Sequence, residues 1–203
     1  MRRASAILLA GAIVTTACAG SAPPAPSGPG PGRTAAIGPR LGAARSFREY
    51  RLYWLGRRYG GLPLTGVTTT RVDVPNAAHS RILRTHSHVV DFTYGECDAG
   101  TGDEGGCSPP LDIQNWPACG RNAALFGMPL PLRVHVRGAP AHHFGDRIEI
   151  WTGTTDIVIF GKHATRVAGE LRSANRLGQD IGRGDRLPAP APGAIEGRLH
   201  CIR

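Results

Sequence analysis

Lysine is almost absent: Lys162 is the only one in 203 residues, so the positive charge is carried by arginine. Together with abundant alanine, glycine and proline, that skew reflects a GC-rich bacterial coding sequence more than a mechanism. Aromatic residues are scarce as well, at 6%, and nowhere alternate with basic residues in a stripe. The net charge of +9 therefore lacks the footprint of a nucleic-acid binder, and no nucleic-acid partner is expected. Scattered positive charge instead favours unspecific attraction to anionic headgroups or wall polymers. The longest apolar run, 6–14, falls well short of the roughly 20 residues that cross a bilayer as a helix. No G-x-S-x-G, H-E-x-x-H or Walker loop occurs, which removes the most recognisable hydrolase, zinc-protease and nucleotide-binding classes.

What is present begins with an address. Arg2 and Arg3 form a positive n-region, 6–14 an apolar h-region, and small residues follow. Thr15-Thr16-Ala17-Cys18 resembles the lipobox of bacterial lipoproteins, with threonine where leucine is usual. The resemblance implies cleavage before Cys18 and lipidation of that cysteine, giving an extracytoplasmic protein held on the membrane. Residues 1–17 are thus expected to be a lipoprotein signal peptide. Residues 18–45 are rich in Pro, Gly, Ala and Ser without apolar periodicity and read as a disordered tether. That leaves 46–203 as a single globular domain, long enough to bury a core.

Within it, Ser46-Phe47-Arg48-Glu49 has the form of a capping box, and Phe47, Tyr50 and Trp54 share a helical face, predicting a helix over 47–55. Tyr53, Trp54 and Tyr59 are read as core rather than as a ligand platform. Strands are expected at 67–74, 88–94, 132–136, 147–151, 156–160 and 194–202, with a hairpin turn at Gly153-Thr154-Thr155. A second helix is expected over 162–177, on the stripe Ala164, Val167, Ala168, Leu171 and Ala174. Strands outnumber helices without βαβ alternation, so the fold class is α+β: a mostly antiparallel sheet of five or six strands with two helices. Val90-Asp-Phe-Thr-Tyr-Gly95 and Ile148-Glu-Ile-Trp-Thr-Gly153 echo each other, as related sheet units or merely as similar strands. Beyond the signal, the body resembles uncharacterised exported domains of GC-rich bacteria, on Tyr53-Trp54-Leu55-Gly56, Gly61-Leu62-Pro63-Leu64, Tyr94-Gly95-Glu96-Cys97 and Ile150-Trp151-Thr152-Gly153. The resemblance implies location and no activity.

The stretch after the 88–94 strand, up to Asn122, reads as a glycine-rich acidic loop holding Cys97, Cys107 and Cys119. These spacings do not form zinc knuckles. With Cys201 they leave four cysteines once Cys18 is lipidated, an even number that predicts two disulfides outside the cell. Three pairings exist. Cys97 with Cys107 and Cys119 with Cys201 is the favoured one, and Cys97 with Cys119 is sterically open too.

His86 and His88 have the spacing of two ligands on one strand face but lack a third, and glycines replace the oxygen ligands that an EF-hand version of 98–106 would need. No catalytic residue, metal ligand or cofactor is assigned. The expected function is a non-catalytic binding or interaction module of the cell envelope, its partner an envelope protein or wall polymer. The alternative is a small secreted hydrolase built from His and carboxylate groups, for which Asp91, Glu96 and Glu149 are the carboxylates to hand. A pocket converging on His86, His88 and Asp91 would favour the hydrolase. A flat aromatic or hydrophobic patch would favour the binding module.

Overall fold

A computed structural model of the chain describes residues 32–75, 84–96, 98–99, 107–119 and 134–195. The first described element is helix α1 (Gly32–Ser46). Short strands β1 (Tyr53–Trp54) and β2 (Arg58–Tyr59) lead to two long ones, β3 (Leu62–Pro75) and β4 (Arg84–Tyr94). A small antiparallel ribbon, β5 (Asp98–Ala99) with β6 (Cys107–Ser108), precedes β7 (Leu111–Pro117). Then come β8 (Val134–Val136), β9 (Ala139–Phe144), β10 (Arg147–Thr152) and β11 (Thr155–Gly161). Helix α2 (Ala164–Ala168) and β12 (Arg172–Ser173) close the described elements.

Eight strands form one sheet, in the order β2-β3-β4-β7-β11-β10-β9-β8, and every pairing in it is antiparallel. The α+β class therefore stands, with two helices among the described residues, but the sheet has eight strands and not five or six. It consists of two four-stranded meanders, β2-β3-β4-β7 and β8-β9-β10-β11, joined where β7 lies against β11. The two echoing segments fall on β4 and β10, the third strand of each meander, and each ends on a glycine with positive φ (Gly95 at 80°, Gly153 at 53°). The expected hairpin is present: Gly153 and Thr154 link Thr152 to its partner Thr155.

Central strand β7 corrects the reading of 95–122 as loop. Its side chains alternate between buried and half-buried along the whole length, as a strand facing a core must. Flanking prolines and an inward-facing Asn115 disguise that pattern. On the same face, Val90, Phe92, Ile113, Ile148, Ile150, Ile157 and Ile159 are fully buried. Each such side chain contributes about 1.5–3 kcal/mol over an exposed one.

Neither predicted helix keeps its expected bounds. Gly32–Ser46 is helical, with Leu41 and Ala44 buried in the core, so the tether reading of 18–45 does not hold past Gly32 and the folded body starts before Ser46. Ser46 bonds backward, its Oγ donating to the carbonyls of Gly42 and Ala43, and so caps no helix at 47–55. That segment runs extended across the inner face of the sheet, where two buried asparagines serve its backbone. Asn175 accepts from the Leu52 N–H (2.9 Å) and donates to the carbonyls of Phe47 and Tyr50. Asn115 accepts from the Tyr53 N–H (2.7 Å) and donates to the carbonyls of Tyr53 and Val90. Tertiary partners outweigh local helix propensity here.

The second helix is five residues long instead of spanning 162–177. After Gly169 the chain turns away, because Leu171 and Asn175 go to the core and Arg137 holds the carbonyls of Leu171, Gly182 and Asp185. Of the expected strand at 194–202 only Ala194 and Ile195 are described, and they lie in a turn; the rest of it, and residues 1–31, lie outside the described residues.

Candidate functional site

The described surface is hollowed where α1 ends, β1 and β12 pair, and 174–183 loops back. Two adjoining cavities, about 490 and about 560 Å³, share Arg45, Trp54, Ser173 and Asp180 as walls. Arg176 lines one, while Arg57, Arg172 and Arg183 line the other. The Trp54 indole N–H donates to the Ser173 carbonyl at 3.1 Å, which fixes the ring. The guanidinium carbons of Arg45 and Arg172 stand 5.8 and 5.7 Å from its centre, within cation–π range. Arg172 reaches this place only because residue 56 is glycine: a Cβ there would sit 1.7 Å from its Nη2, and the backbone at Gly56 has φ +92°.

The electrostatics are one-sided. Five arginines face the groove against Asp180, and among the described residues only Arg183 of the five has a carboxylate partner, Glu170 at 2.8 Å. Arg57 and Arg176 are exposed and make no side-chain hydrogen bond or ion pair among the described residues. Such a concavity attracts anions, and guanidinium forks can bind them through paired N–H donors. Trp54 itself is 6% exposed, so it supports the arginines and offers no stacking surface. The core reading of Tyr53 and Trp54 is correct, and Tyr59 packs half-buried against the core.

A second polar feature lies on the opposite face of the sheet. Register places Thr68, Asp91, Gln114, Val158, Glu149 and His142 in one row across six strands. Thr68 donates to Asp91 (3.0 Å), Gln114 and Thr93 to Asp112 (3.1 and 3.4 Å), and the Trp116 indole to Gln114 (3.1 Å). The Asp91 Oδ1 is buried without a hydrogen-bond partner among the described residues. Burial, helped by the nearby Asp112 charge, pushes the Asp91 carboxyl up to about 6. Burial raises Asp112 as well, against opposing hydrogen bonds from Gln114 and Thr93. A carboxyl raised as far as that of Asp91 can hold and release a proton near neutrality.

The residues singled out in the sequence do not assemble into one site. His86 pairs with Asp73 at 2.7 Å and His88 with Glu49, both at the outer part of β4. His88 and Asp91 are three apart on a strand and so face opposite sides, which separates the proposed His/carboxylate trio. Glu96 is exposed, and Glu149 is 3% exposed in the row with His142. Among the described residues no three His, Cys, Asp or Glu side chains are grouped to hold a metal, and no helix is long and apolar enough to cross a membrane. Cys119 is disulfide-bonded. Cys18, Cys97 and Cys201 lie outside the described residues, and of Cys107 only the backbone in β6 is described.

The arginine groove escaped sequence reading because its five members come from four different elements, more than a hundred residues apart in the chain at the extremes. One signal was available: Trp54-Leu55-Gly56-Arg57 sets an aromatic, a glycine and an arginine side by side. No protein-family model, curated protein or solved structure matches the chain.

Proposed function

We propose that this chain is a cell-envelope lipoprotein, anchored to the membrane through lipidated Cys18, whose domain is a non-catalytic binding module using the groove around Trp54. The anchor rests on the n-region, h-region and small-residue–Cys18 junction, followed by a Pro/Gly-rich stretch. The observation that carries the binding reading is the groove: a concavity walled by five arginines from separate segments, four of them without a carboxylate partner among the described residues. Disulfides Cys97–Cys107 and Cys119–Cys201 belong to the same reading, because four cysteines outside the membrane form an even set.

Two arms of one experiment test it. Wild-type protein is expected in the membrane fraction and Cys18→Ser protein in the soluble extracytoplasmic fraction. The mature chain, immobilised, is expected to retain material from envelope extract that the Arg57→Ala/Arg176→Ala variant does not retain. Membrane association of Cys18→Ser equal to wild type would end the anchor. Equal retention by both chains would end the groove.

The second reading, a carboxylate-based hydrolase, is favoured by one observation: Asp91 and Asp112 both have carboxyls raised by burial on one face of the sheet. Turnover of a chromogenic ester or glycoside by wild type, abolished in Asp91→Asn, would move the function to that face.

A further inference from the structure

We infer that the groove binds a phosphodiester polymer, of the glycerol- or sugar-phosphate kind, as a single extended strand. The inference rests on the groove being the binding site and names its ligand. The lining arginines come from different elements: Arg45 from the end of α1, Arg57 from the turn after β1, Arg172 from β12, and Arg176 and Arg183 from the loop after it. A carboxylate offers two oxygens in one plane and suits one fork. A phosphodiester directs its free oxygens out of a tetrahedron, so guanidinium groups approaching from separate directions can share it.

The geometry also sets the form of the ligand. Two adjoining cavities of about 490 and about 560 Å³ have room for consecutive units of a polymer and far more than one phosphate needs. Their shared wall of Arg45 and Trp54 continues the positive lining from one to the other. Phospholipid headgroups carry the same phosphodiester chemistry, and the vesicle arm of the experiment below separates them from a polymer strand. With Trp54 6% exposed, the groove has no platform on which to stack a base, so nucleic acid gains nothing beyond its phosphates.

Titration calorimetry on the full mature chain, with defined probes of matched charge, decides the matter. A glycerol-phosphate oligomer is expected to bind, with affinity falling steeply as salt rises, since each neutralised phosphate releases counterions. Arg57→Ala/Arg176→Ala should weaken it at least tenfold without shifting the melting temperature, because neither side chain has a partner to lose among the described residues. Oligogalacturonate is expected to bind at least tenfold more weakly. Equal affinity for oligogalacturonate would overturn the phosphate assignment, and tighter binding of a dT oligomer would overturn the strand-without-bases reading. Preferential binding to phosphatidylglycerol vesicles would overturn the polymer. Failure of all these probes, with groove-dependent retention from envelope extract intact, would reject this ligand class while leaving the binding module standing.

Discussion

Asn115→Leu is expected to destabilise the protein by about 4 kcal/mol, the sum of several buried groups left unpaired at roughly 1–3 kcal/mol each. The side chain is 0% exposed on the central strand β7 and spans two elements at once. Its amide accepts from the Tyr53 N–H and donates to the carbonyls of Tyr53 and Val90. Leucine has nearly the same shape, so the loss is of hydrogen bonds rather than of volume. The segment 47–55 has few strand neighbours, since β1 pairs only with the two residues of β12. It depends on Asn115 and Asn175 instead. Urea unfolding of the mature chain measures the effect. A loss below about 1 kcal/mol, less than one net buried hydrogen bond, would show that the segment is held by packing alone.

Asp91→Asn is expected to act in the other direction. The folded-state carboxyl of Asp91 titrates at about 6 against an ordinary 3.8, so folding favours its protonated form. Its contribution to stability is complete below 3.8 and is lost as pH rises through about 6. The full interval would amount to roughly 3 kcal/mol. Solvent reaching the partly exposed carboxyl reduces this to about 1–2 kcal/mol. Asparagine carries no charge to bury and keeps an oxygen for the Thr68 hydroxyl. Unfolding at pH 4.5 and 7.5 should show wild type losing stability between the two, and Asp91→Asn losing less and exceeding wild type at pH 7.5. A less stable variant at pH 7.5 would contradict the assigned environment.

Strands whose outward faces stay polar were legible in the sequence. β3 alternates weakly but is rich in valine and threonine, β4 sets Val90, Phe92 and Tyr94 against Asp91 and Thr93, and the turn at Gly153-Thr154 gave away the hairpin between β10 and β11. The central strand β7 was not legible, because Asn115 occupies a core position and proline stands at both ends. The helix expected at 47–55 failed for a related reason. Its aromatic spacing fits a helical face, but Tyr50 and Tyr53 are spent on distant partners, Tyr50 donating to the carbonyls of His88 and Asn115. Periodicity records which residues are apolar and cannot record what lies across from them. The groove was illegible for the same cause: positions 45, 57, 172, 176 and 183 look like scattered charge until β1 pairs with β12 and brings their neighbourhoods together.

The groove as binding site is tested most directly by hydrogen exchange on the full mature chain, with and without the material it retains from envelope extract. Slowed exchange is predicted in 54–57 and 172–183, which carry most of the groove wall, with β4 and β7 unchanged. Protection centred on β4 and β7 around Asp91 and Asp112, with none at 172–183, would contradict the account.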